Sequence, residues 1–110
     1  MTVDEYHIEE ESHGRGGLVF YVGKTRLPFP WEMMAVNEDA IRIPTLKEWN
    51  DYCEKHNADW AKGCREKILR RVGESYLKKN YSRGTFTIED KWIVIKPAPS
   101  FISRILEFFN

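Results

Sequence analysis

The stretch TRLPFPWEMM, Thr25 to Met34, sets Pro28 and Pro30 on either side of Phe29 and follows them with Trp31 and Glu32. Such a run fits neither a continuous helix nor an ordinary central strand. Proline has no N–H to give to a ladder and keeps the residue before it extended, so Leu27-Pro28-Phe29-Pro30 runs along a sheet edge or leaves a sheet just before Trp31. The stretch is therefore read as a turning point, and the elements on either side of it decide the fold.

Upstream, GLVFYV is β-branched and aromatic, Gly23-Lys24 suits a tight turn, and TRLPF returns, so residues 18–29 predict a β-hairpin. Alternation puts Leu18, Phe20 and Val22 on one face and Val19 and Tyr21 on the other. Both faces are apolar, and both are expected to be covered. Residues 1–16, acidic and then glycine-rich, read as either a loose acidic arm or an edge strand. Downstream, Asn37-Glu38-Asp39 is turn-like, and Ile41 and Ile43 flanking Arg42 mark a short strand over 40–43.

Two central helices follow, over 45–56 and 59–79. Thr45 and Glu48 form a capping box, in which hydroxyl and carboxylate each satisfy an N–H that a helix start leaves unpaired. Leu46, Trp49, Tyr52, Cys53 and His56 then recur on one side. In the second helix Ala61, Cys64, Ile68, Val72 and Tyr76 make the buried stripe, widened by Leu69 and Leu77. Gly63 and Gly73 each cost it about 1 kcal/mol relative to alanine, so packing has to hold it. Residues 85–96 predict a second hairpin turning at Glu89-Asp90, with Trp92, like Trp49, expected in the core. A short C-terminal helix starts near Pro99 or Ser100. The order gives an α+β fold, an antiparallel sheet of short strands packed against helices, as one domain over 1–110.

At 110 residues and 42% hydrophobic content the chain can bury a core without disulfides or a metal. Cys53 and Cys64 lie in helical register and are expected to stay reduced. No apolar run reaches the ~18 residues of a membrane span, and the acidic start lacks the features of a signal peptide, so a cytoplasmic protein without membrane contact is expected. The formal charge is zero, yet residues 1–57 hold 11 acidic against 6 basic side chains and residues 58–110 hold 6 against 11.

His7, His13 and His56 are scattered without metal-ligand spacing, HGRGG lacks the ending of a phosphate-binding loop, and no nucleophile sits beside a base. The chain is read as no enzyme, with no cofactor and no metal. Lys62, Arg65, Lys67, Arg70, Arg71, Lys78 and Lys79 on the second helix offer an alternative, a small nucleic-acid-binding regulatory module. Against it stand the interrupting Glu66 and Glu74 and a pI of about 6.8.

The segment from about Gly17 to Leu77 resembles a small family of immunity proteins from bacterial polymorphic toxin systems. The features that carry the likeness are Phe20-Tyr21, a turn at Gly23, Pro30-Trp31-Glu32, the strand Ile41 to Ile43, Trp49 early in a helix, and Ile68 with Val72. The resemblance implies a non-enzymatic cytoplasmic protein that binds a cognate toxin domain and blocks its active site or substrate access, with a homodimer left open. The residues expected to contact the toxin are Asp4, Glu5, Tyr6, Glu9, Glu10, Glu11, Trp31 and Glu32. The acids would stand in for the phosphates of a nucleic-acid substrate, and Trp31 or Tyr6 would supply a desolvated anchor.

Overall fold

The computed structural model describes residues 3–11, 16–35, 38–81 and 83–97. Its elements in chain order are β1 (Tyr6–Glu11), β2 (Gly17–Val22), β3 (Thr25–Phe29), β4 (Trp31–Ala35), β5 (Glu38–Arg42), α1 (Trp49–Lys55), α2 (Arg65–Asn80), β6 (Gly84–Ile88) and β7 (Trp92–Pro97). The fold is α+β. Its strands form two antiparallel sheets, of order β1-β2-β3 and β4-β5-β7-β6.

The turning point is where one sheet gives way to the other. Thr25–Phe29 pairs with β2, Pro30 interrupts, and Trp31–Ala35 pairs with β5. Proline has no N–H to continue the first ladder, while the Pro30 carbonyl accepts the Arg42 N–H at 2.8 Å and so starts the second. Trp31 and Glu32 thus enter a further strand, which the sequence reading left out. The corner is tight enough to dictate Gly17. With φ at +100°, a Cβ there would stand 2.1 Å from the Phe29 carbonyl oxygen and 2.7 Å from Pro30 Cα.

The hairpin over 18–29 forms as expected, turning at Gly23-Lys24, and the acidic start takes the edge-strand form, with Tyr6 opposite Val22 and Glu11 opposite Gly17. The 84–97 hairpin also forms. Trp92 departs from expectation. Ile93 and Ile95 point into the core, so their neighbour Trp92 lies on the other face and is half-buried.

Both helices are shorter than their sequence patterns. The Thr45–Glu48 capping box is present, with Glu48 Oε1 accepting from Thr45 N–H and Thr45 Oγ1 accepting from Glu48 N–H, both at 3.1 Å. Residues 46–48 nevertheless form a turn, and α1 begins at Trp49, leaving Leu46 74% exposed instead of on the buried stripe. The stretch expected to open the second helix is a single 3-10 turn, Asp59–Ala61. The Ala61 carbonyl accepts the Trp49 indole N–H at 2.9 Å, and Gly63 takes φ +83°. Gly63 is therefore the break between two elements, not a weak point inside one. Gly73 does lie within α2, where Phe86 packs so closely that a Cβ would meet its ring at 2.6 Å. The expected C-terminal helix lies outside the described residues.

One apolar cluster binds the two sheets and both helices. It joins Phe20, Leu27 and Phe29 to Ile41, Ile93 and Ile95, under Trp49, Cys53, Ile68, Leu69 and Val72. The Phe29 and Trp49 rings stack with centroids 6.4 Å apart, so the corner strand and α1 share one contact. The Tyr52 hydroxyl donates to the Pro28 carbonyl, fixing the same strand from its open side. Cys53 is fully buried, which pushes its thiol up to about 11, and Cys64 is half-buried; both are free.

Candidate protein interface

The expected contact residues fall into two groups. Asp4, Glu5, Tyr6, Glu9, Glu10 and Glu11 stay together on β1 and the short turn before it, while Trp31 and Glu32 lie on β4 in the other sheet. Strand alternation then divides the first group. Tyr6, Ile8 and Glu10 share the face that meets α2, and His7, Glu9 and Glu11 share the opposite face.

On the helix side the acidic start of the chain meets the basic helix. Asp4 Oδ1 pairs with Arg71 at 2.8 Å and Lys67 at 3.1 Å, and the hydrogen bond from Arg71, then that from Lys67, hold its carboxyl below the usual value. The Tyr6 ring stacks on Phe20 at 5.0 Å and lies 4.5 Å under the Arg71 guanidinium. Lys79 Nζ donates to the Ile8 carbonyl at 3.2 Å, and Asn80 Nδ2 to Glu10 Oε1 at 2.8 Å. A groove of about 560 Å³ runs along this seam, lined by Tyr6, Ile8, Arg71, Glu74, Lys78 and Lys79 among others. Opposite charges from the two halves of the sequence are thus consumed against each other.

The other face of β1 looks outward. His7 stacks on Tyr21 at 4.6 Å, with Glu9 beside it at 3.6 Å, and Glu11 pairs with Arg26 at 2.8 Å. Glu5 and Glu9 are exposed, and Glu5 has no partner among the described residues. Glu32 is likewise exposed, opposite Ala40. Trp31 is half-buried against the core, with its indole N–H enclosed.

Sequence reasoning missed the clasp beneath Trp31. Asp39 Oδ2 accepts from the hydroxyls of Tyr76 at 2.7 Å and Tyr81 at 2.5 Å, tying the end of α2 to β5. The Asp39 carboxylate pushes the Tyr81 hydroxyl up to about 12, and burial pushes Tyr76 higher still. The 3.6-residue period marked Tyr76 as buried, but nothing in the sequence paired it with a carboxylate 37 residues earlier.

Among the described residues no group of three or more His, Cys, Asp and Glu side chains is placed to hold a metal, and no helix is long and apolar enough to cross a membrane. Compared with protein-family models, with curated proteins and with solved structures, the chain gives no significant match.

Proposed function

We propose that this chain is an immunity protein, a non-enzymatic cytoplasmic inhibitor that binds a cognate bacterial toxin domain through β1. The observation that carries the reading is the two-sided character of that strand. Its inner face is clamped by Arg71, Lys79 and Asn80, so the backbone is held in place, while Glu9 and Glu11 stand exposed along its outer side, Glu11 beside Arg26, and exposed Glu5 immediately precedes the strand. A fixed row of carboxylates loses little conformational entropy on docking and complements the basic cleft of a toxin that acts on nucleic acid. Trp31 packs inward and serves the fold, and Tyr6, 39% exposed at the start of the strand, shares the face that meets α2, so neither adds an aromatic anchor beside the carboxylate row.

The basic helix is a poorer docking surface for nucleic acid. Lys67 and Arg71 are engaged by Asp4 and Arg70 by Glu66, while Lys62, which the sequence put on this helix, falls before α2 and pairs with Glu54 and Asp59. Arg65 donates to the carbonyls of Pro44 and Asp90. Phosphates would have to displace these partners before gaining counterion release.

The test co-expresses the toxin domain encoded beside this gene with wild-type protein, with Glu5→Lys/Glu9→Lys/Glu11→Lys, and with Arg70→Glu/Lys78→Glu. Protection and co-purification are expected with wild type and the helix variant, and loss of both with the strand variant. Loss with the helix variant alone overturns the choice of surface. A wild-type protein that neither protects nor co-purifies overturns the immunity reading.

A further inference from the structure

Each sheet has two outer strands, and three of these four edges are guarded. β1 carries Glu9, Glu10 and Glu11 in succession, and Lys79 occupies the outward carbonyl of Ile8. β3 contains Pro28, whose carbonyl is taken by Tyr52. β4 has a register shift between Met33 and Ala35. Charge, proline and bulges are the means by which edge strands avoid pairing with another chain. β6, with the sequence Gly-Thr-Phe-Thr-Ile, has no charge, no proline and an unbroken register with β7, and no described strand lies on its other side.

The hairpin shows which groups this edge offers. Glu89 N–H donates to the Trp92 carbonyl at 2.7 Å, so these two residues form a hydrogen-bonded pair. Such pairs alternate along an antiparallel ladder, which makes Thr87–Val94 and Thr85–Lys96 bonded pairs as well. The N–H and C=O groups of Gly84, Phe86 and Ile88 therefore point away from β7.

The sequence around this strand is complementary to itself. Laid antiparallel on a second copy with Phe86 opposite Phe86, the run from Arg83 to Glu89 sets Thr85 against Thr87, Gly84 against Ile88 and Arg83 against Glu89. The centre of symmetry falls on a residue whose backbone groups point outward, so each pairing of Gly84, Phe86 and Ile88 closes two main-chain hydrogen bonds. Thr–Thr pairs and opposite charges placed directly across both favour the register. Arg83, Thr85, Thr87 and Glu89 are exposed and need no rearrangement to meet a partner.

We infer that β6 pairs with β6 of a second copy of this chain about a twofold axis at Phe86, joining two sheets edge to edge. The charge order, basic at one end and acidic at the other, specifies a copy of this chain over an unrelated strand. The contact is one strand wide, smaller than the ~1,200 Å² of stable interfaces, so association is reversible and concentration-dependent.

Analytical ultracentrifugation of the full chain, up to roughly 1 mM where weak contacts are populated, reads the association. Wild type is expected to dimerise. Arg83→Glu and Glu89→Arg each set like charges across both ends of the seam and should weaken dimerisation by about tenfold or more. Their equimolar mixture should recover wild-type association, because the acidic ends of one variant meet the basic ends of the other. Both positions lie beyond the strand and are exposed, so thermal midpoints should match wild type. A wild-type protein that stays monomeric at the highest concentration overturns the inference, as does association equally strong in each variant alone and in the mixture.

Discussion

At the Pro30 corner the three-stranded sheet is joined to its neighbour by backbone and apolar packing: Gly17 under the Phe29 carbonyl, Phe29 against Trp49, Arg42 N–H on the Pro30 carbonyl. At the seam between β1 and α2 the same sheet is held by exposed groups, Asp4 with Arg71 and Lys67, Glu10 with Asn80, and the Lys79 ammonium on Ile8. The corner excludes water and has one arrangement of its atoms, so damage there is damage to the whole fold. The seam exchanges its partners with solvent and answers to salt and pH.

The largest expected effect is at Gly17. Gly17→Ala places a Cβ against backbone that cannot swing aside, at a φ that L residues rarely adopt. A loss of more than about 4 kcal/mol is expected, read as failure to give a cooperative melt. A Gly17→Ala protein with a wild-type midpoint would show that the corner can relax.

Next comes Trp49→Ala, which empties a fully packed site and removes the indole bond to Ala61; about 3–5 kcal/mol is expected in urea denaturation. Cys53, buried one turn further along α1 with its thiol pushed up to about 11, reports the same region. In wild type it should react with a thiol reagent only through global opening, and in Trp49→Ala much faster. Equal labelling rates in the two proteins would contradict a shared core.

Much of the corner was legible in the sequence because its causes are local. Proline removes a donor wherever it stands, and alternation sorts Leu18, Phe20 and Val22 from Val19 and Tyr21. The limits of that legibility are also physical. The pattern of Trp31 to Ala35 did not announce a strand, since its partner Glu38–Arg42 comes from pairing that no single segment encodes. Gly63 could be read as a weak helical residue because the competing bond, from Trp49 to Ala61, arises only in three dimensions. The seam was less legible still. Asp4 and Arg71 are 67 positions apart, and charge counts by halves gave opposite signs without saying that the two surfaces meet.

At the seam itself Tyr6→Ala should cost about 1 kcal/mol, the worth of one partly exposed ring contact with Phe20 and one with a guanidinium. Tyr6→Phe, which keeps the ring, should recover most of it. If Phe does no better than Ala, the contribution belongs to the hydroxyl and the stacking assignment is wrong.

The smallest effect, and the one that separates the two regions most cleanly, is the pH response of Asp4. Hydrogen bonds from Arg71 and Lys67 lower its carboxyl pKa below the ordinary 3.8. A carboxyl whose folded pKa lies below its unfolded one contributes stability that is fully present above the unfolded value and is lost as the pH falls through the folded value. The difference between wild type and Asp4→Asn should therefore be present near neutral pH and fade as the pH drops from about 4 downward. It should also shrink in roughly 1 M salt, where the screening length falls to about 3 Å. No such dependence should accompany Gly17→Ala or Trp49→Ala, whose losses come from packing and backbone geometry. The measurement is a set of thermal melts of the Asp4→Asn and wild-type proteins across pH and salt. A difference undiminished at pH values well below 4 would mean that Asp4 acts at the start of the chain through something other than its charge.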